Sequence, residues 1–254
     1  MKAQYFRRLS LALSPFALLA VTAAAPIAAA QTDTVNRQAT NPQSDAARAW
    51  KFADSDVLAD PAVRYGVLPN GMKYAILKND TPKDLISLRL HVNIGSLSEA
   101  DDQRGLAHFL EHMAFNGSKA IPEGEMIKLL ERKGLAFGAD TNASTGFDAT
   151  EYKLDLPQGS DDLIDTGLML MRETASELTI AEDAVNRERG IILSERRARD
   201  TYALRNLVEQ FRFLYAGMTL VDRMPIGTEE VIRNAPAKRL RDFYNDYYRP
   251  ERTT

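Results

Sequence analysis

The chain has 254 residues, no cysteine, 44% hydrophobic residues, and 32 basic against 35 acidic side chains, for a net charge of −3. This is globular composition, so it excludes a disordered chain, a disulfide-built scaffold and a lipid-modified cysteine anchor. The acidic balance argues against nucleic acid as a partner.

In chain order, the first feature is an apolar stretch over residues 9–30 behind Lys2, Arg7 and Arg8, ending in Ala28-Ala29-Ala30 before Gln31. That pattern predicts a signal peptide at 1–30, cut after Ala30. Pro15 and Pro26 break the apolar core, which favours export with removal over a transmembrane anchor. Phe6 stands where a twin-arginine signal usually has serine or threonine, so the general secretory route to the periplasm is expected, with no stable membrane anchor after processing. Removal of residues 1–30 takes three positive charges and no negative ones, leaving 29 basic and 35 acidic residues and a net charge of −6. Residues 31–60 begin with a polar stretch without apolar periodicity and are expected to be a flexible linker. Residues 61–254 are left for one domain.

Within that domain, residues 64–68 and 72–78 flank Pro69-Asn70-Gly71, a hairpin signal because Asn-Gly supplies left-handed turn residues. Ile86, Leu88, Leu90, Val92 and Ile94 alternate with polar residues and predict a half-buried strand. Thr150, Tyr152, Leu154 and Leu156 alternate likewise with Glu151, Lys153 and Asp155. Helical spacing covers 104–115, 124–133, 161–178, 180–199, 201–215 and 236–247. Phe211, Phe213, Leu214, Phe243, Tyr244 and Tyr247 are expected in the helix core. The sum is an α+β fold, a mainly antiparallel sheet with helices packed on one face. The run Tyr247-Tyr248-Arg249-Pro250-Glu251-Arg252-Thr253-Thr254 reads as a helix end and the opening of a strand, so the domain is expected to be truncated at its C-terminal end.

Two of the three histidines lie in His108-Phe109-Leu110-Glu111-His112. At about 100° per residue, Glu111 and His112 project within about 60° of His108, whereas Leu106, Phe109, Leu110 and Met113 share the other side. Two imidazoles one turn apart suit two positions of a tetrahedral zinc, and a carboxylate between them can reach a water at the metal. A third ligand must come from elsewhere. The helix at 180–199, whose start Thr179 and Glu182 suggest as a capping box, carries Glu188 and Glu195 inside its apolar stripe. Buried carboxylates need a cation, a metal or strong donors, so these two are ligand candidates unless Arg187, Arg189, Arg196 or Arg205 pairs with them. His91, on the polar face of its strand, is expected to be a surface or structural residue.

These segments together resemble the pitrilysin-type zinc metallopeptidases, which carry H-x-x-E-H rather than H-E-x-x-H. The resemblance runs over residues 64–250. Besides the histidine motif it rests on Gly95-Ser96 with Glu99 and Gly105, on Met113-Ala114-Phe115-Asn116-Gly117, and on Asn142-Ala143-Ser144-Thr145. It also takes in Thr150-Glu151-Tyr152, the stretch around Glu188 and Glu195, and Tyr247-Tyr248-Arg249-Pro250. It implies a two-layer sandwich as in pitrilysin and mitochondrial processing peptidase domains. It implies one zinc ion on His108, His112 and Glu195, with Glu111 as general base and Glu188 orienting a ligand histidine. The spacing from His112 to Glu195 exceeds the family's usual one by a few residues, consistent with a loop insertion. Residues 137–145 resemble the family's edge strand, onto which a peptide adds, with Asn142 and Ala143 as substrate contacts. The resemblance further implies a homologous second domain or subunit that completes the active-site chamber. The expected function is an exported zinc metalloendopeptidase acting on peptides or unfolded segments. The alternative is a non-catalytic peptide-binding or assembly subunit with a structural zinc.

Overall fold

A computed structural model describes Trp50, Ser55, Asp56 and residues 59–254. The expected signal peptide and almost all of the linker lie outside the described residues. Five strands form: β1 (Val63–Val67), β2 (Lys73–Leu77), β3 (Ile86–Val92), β4 (Thr141–Thr145) and β5 (Thr150–Leu156). Seven α-helices accompany them among the described residues: α1 (Leu106–Met113), α2 (Glu125–Arg132), α3 (Asp161–Ser176), α4 (Glu182–Arg199), α5 (Tyr202–Leu214), α6 (Glu229–Asn234) and α7 (Ala237–Tyr247). No helix among the described residues is long and apolar enough to cross a membrane.

The α+β class holds, and all named strand pairs are antiparallel. The strands form two sheets rather than one, a β1–β2 hairpin and a three-stranded sheet in the order β3-β5-β4. Gly71 at φ +91° closes the hairpin turn, but Asn70 does not take the left-handed conformation, so the Asn-Gly signal holds for its glycine alone. Thr253 and Thr254 come between the sheets. The Lys73 amide donates to the Thr253 carbonyl, and His91 and Thr254 exchange amide and carbonyl bonds at 2.8 Å.

The period-2 pattern places the sheet face correctly. Thr150, Tyr152, Leu154 and Leu156 are buried, whereas Glu151, Lys153 and Asp155 are half-exposed. Leu90, Val92 and Tyr152 pack with Leu106, Phe109, Leu110 and Met113 of α1 and with Ala184, Val185 and Ile192 of α4. Phe243 and Leu240 of α7 and Ile232 of α6 close this core. At the other end Leu154 and Leu156 pack on Leu163 and Leu170 of α3 and on Leu130 of α2.

Three expectations are corrected. The capping box at Thr179 does not form, because the Thr179 hydroxyl donates to the Gly117 carbonyl instead and α4 starts at Glu182 after Ala181. Phe243 and Tyr244 are core, but Phe213 is 84% and Leu214 64% exposed, and α5 has no buried residue. Helix α6 was absent from the expected elements, since six residues carry too few apolar positions to show a period; only Ile232 of it is an essentially buried side chain.

Candidate functional site

Helix α1 is eight residues long, marginal by itself, and seven of its residues are buried. Its start is fixed from outside. Glu99 accepts the Gly105 amide at 2.9 Å and the Ala107 amide at 2.8 Å, placing a carboxylate at the positive end of the helix. Arg223, itself buried, donates through Nε to the Glu99 carbonyl at 3.0 Å and through Nη2 to Asp101 at 2.8 Å. Burial pushes the Glu99 carboxyl up to about 7, opposed by the two amides and by Arg223. The loop carrying Arg223 approaches closely at Gly227, where a Cβ would fall 2.3 Å from the Gly105 Cα; both glycines have positive φ.

His108, His112 and Glu195 converge, with one potential ligand atom from each, all within 4.8 Å of one another. His112 Nε2 lies 3.3 Å and His108 Nε2 3.8 Å from Glu195 Oε2. A tetrahedral zinc with bonds of about 2.0–2.1 Å separates its donors by about 3.3–3.4 Å, so the set fits that ion and leaves a fourth position open. Glu188 lies behind His112 and meets its Nδ1 at 2.7 Å, which turns Nε2 toward Glu195. Asn116, which sequence reasoning placed in a motif without a role, donates to Glu188 Oε2 at 3.1 Å and to the His112 carbonyl at 2.9 Å.

The expected competitors for the two glutamates are engaged elsewhere. Arg187 pairs with Glu123, Arg189 donates to the Ile232 and Ala235 carbonyls, Arg196 reaches Gly227 and Glu229, and Arg205 pairs with Asp200. Arg199, one turn after Glu195, does pair with it.

Burial and the neighbouring charges shift each of the four groups in its own direction. Burial lowers His108 to about 4, helped by His112. Burial also opposes charge on His112, but hydrogen bonds to Glu188 and then Glu195 hold it up at about 9. Glu195 is pulled down to about 2 against its own burial by His112, His108 and Arg199. Burial raises Glu111, opposed by a hydrogen bond from Thr145. That bond, from Thr145 Oγ1 to Glu111 Oε2 at 2.6 Å, is a second contact that sequence reasoning missed.

Strand β4 is an edge of its sheet and spans 141–145 rather than 137–145, because the chain turns at Gly138 (φ +89°). Asn142 is exposed, and its side-chain oxygen accepts the amide of half-buried Ala143 at 2.9 Å. That amide therefore points away from β5, toward the open edge. His91 lies outside the cluster, 3.3 Å from Asn93.

Residues 74–216 match the family described as Insulinase (Peptidase family M16). The chain is 40% identical over 192 residues to the probable zinc protease PqqL of Haemophilus influenzae, covering 76% of this chain and 21% of that protein. The first half of the periplasmic protease PqqL from Escherichia coli superposes with a TM-score of 0.76 at 35% identity, over 78% of this chain and 42% of that one. Pitrilysin, at 24% identity, shares the fold with a TM-score of 0.61 over 76% of this chain and 20% of its own. The chain thus spans about a fifth of the length of the first curated relative.

Proposed function

Because the chain belongs to the M16 peptidase family, we propose that it carries the catalytic site of a zinc-dependent metalloendopeptidase that hydrolyses peptide bonds in peptides or unfolded segments. The observation that carries this reading is the convergence of two imidazoles and a carboxylate beside a second, buried carboxylate on the same helix turn.

In this reading His108, His112 and Glu195 hold one zinc ion. Bound zinc supplies a Lewis acid that polarises a carbonyl and brings water closer to ionisation at neutral pH. Glu188 keeps His112 in the tautomer that presents Nε2, and Asn116 in turn holds Glu188. Glu111 takes a proton from the attacking water and returns it to the leaving amine. Its burial favours this, since a raised pKa suits a group that must both accept and release a proton near neutrality. The open edge of β4, with Asn142 and Ala143, takes the substrate as an added strand, a mode that tolerates varied sequence because the backbone makes the bonds.

Export to the periplasm after cleavage at Ala30 is part of the proposal, supported by the pattern in residues 1–30 and by the periplasmic description of the similar Escherichia coli protein. So is a homologous second domain or subunit facing the site, supported by the Escherichia coli match to a first half.

The test is digestion of an unstructured peptide by the zinc-loaded protein, followed by mass spectrometry. Cleavage should stop on chelation and return with zinc. Glu111→Gln should lower kcat/KM on the order of 10²–10⁴-fold while the bound zinc stays. Cleavage that persists without metal, or peptide binding without any product once the second domain or subunit is supplied, overturns the reading.

A further inference from the structure

The terminal torsion of a glutamate is broad, so the bonds of Glu111 by themselves let its carboxylate swing. Its orientation must come from a neighbour. Thr145, the last residue of β4, supplies that neighbour through the 2.6 Å bond from Oγ1 to Glu111 Oε2. This length belongs to the short, charge-assisted class of hydroxyl–carboxylate bonds. The hydroxyl's own surroundings fix where its proton goes. Thr150 Oγ1 lies 3.5 Å away and donates its own proton to the Ile94 carbonyl at 2.9 Å, so the Glu111 carboxylate at 2.6 Å is the nearer and stronger acceptor for the Thr145 proton. Thr150 is fully buried and sits opposite Thr145 in the β4–β5 register, so the pair is held by the sheet rather than by a loop.

We propose that Thr145 is a positioning residue for the general base: its hydroxyl engages Glu111 Oε2 and leaves Oε1 for proton transfer. The inference rests on the peptidase reading for its kinetic consequence, and it adds a mechanical one. Thr145 lies two residues from Ala143 and three from Asn142 on the same edge strand. Alternation along a strand puts Thr145 and Ala143 on one face, toward α1, while Asn142 and Ser144 face out. A peptide bonded along the outer edge of β4 therefore fixes the same five-residue strand that aligns the base. Docking and base alignment become one event, and a substrate that engages the strand out of register is bound without being cut.

Thr145→Val keeps the β-branched shape and removes the donor; Thr145→Ser keeps the donor and removes a methyl. In the zinc-loaded full chain acting on an unstructured reporter peptide, Thr145→Val should lose about 10–100-fold in kcat, the scale of a small misplacement of a reacting group. KM and zinc affinity should not move, and Thr145→Ser should recover most of the lost rate. A second readout needs no turnover. The side-chain carboxyl carbon-13 resonance of Glu111, assigned by its loss in Glu111→Gln, should shift and broaden in metal-free Thr145→Val but not in Thr145→Ser. Parental kcat and an unmoved resonance in Thr145→Val overturn the proposal, as does a Thr145→Ser variant as impaired as Thr145→Val. If the parent, supplied with its second domain or subunit, cleaves nothing, the peptidase reading fails, and the resonance still decides whether Thr145 positions Glu111.

Discussion

Helices α1 and α5 are both amphipathic, yet the structure treats them in opposite ways. The eight-residue α1 is enclosed on nearly every side, including the side that carries its histidines. The thirteen-residue α5 has no fully buried residue, only Leu204, Val208 and Phe211 half-buried, and Tyr202 and Phe213 are 89% and 84% exposed. The short helix could not stand without its surroundings, and the longer one has little of its apolar surface covered among the described residues. Precision in this molecule is thus a property of packing around α1, which is where a site that must hold atoms within fractions of an ångström has to sit.

The largest effect expected from this contrast is in α1's apolar stripe. Leu110→Ala should cost about 2–5 kcal/mol of unfolding free energy in a denaturant titration, because the side chain is fully buried against two layers. A loss under 1 kcal/mol would erase the contrast. Next is the carboxylate at the start of α1. Glu99 is raised to about 7, so the folded state holds its proton longer than the unfolded chain does. Its ionisation therefore weakens the fold as pH rises from about 4.5 to 7, and the cost is complete above that window, roughly 3 kcal/mol in size. Melting temperature should fall across this range, and Glu99→Gln should flatten the fall; a parallel slope in the variant would show that another group is responsible. Third, Glu188→Ala should weaken zinc about 10–100-fold in a chelator competition, with the melting temperature of the metal-free protein less affected than by Leu110→Ala. The smallest effect belongs to α5. Phe213→Ser should change stability by less than about 0.5 kcal/mol, and a larger loss would show that α5 is anchored through its aromatic face.

The contrast also explains what was legible in the sequence. Period-2 alternation located β3 and β5 and their buried faces, and helical spacing located α1 through α5 and α7, because both are local signals. The same spacing misassigned Phe213 and Leu214, since an apolar stripe records which residues share a side and says nothing of whether another element covers it. At the site, the two histidines and Glu111 were legible from one helix turn, and Glu188 and Glu195 from carboxylates set in an apolar stripe. Thr145 and Asn116 were not assigned roles, because a hydroxyl or amide gains its role only from the partner the fold brings to it, 34 residues away for Thr145 and 72 for the Asn116–Glu188 bond. Arg223 was missed for the same reason, as its burial against Glu99 depends on a loop 124 residues downstream.

The distance along the chain between His112 and Glu195 has a thermodynamic meaning of its own. Glu195, the third ligand in the proposed zinc set, reaches His108 and His112 only after the 82 residues between His112 and Glu195 close into a loop, an entropy loss of about 4 kcal/mol for a flexible chain. The imidazole pair can form whenever α1 winds, but the complete set exists only when the core between α1 and α4 is in place. Affinity for the metal consequently gauges cooperativity: titrated in rising denaturant, it should collapse with the tertiary transition rather than fade with residual helix, making the ion a sensor of whether the molecule as a whole is folded.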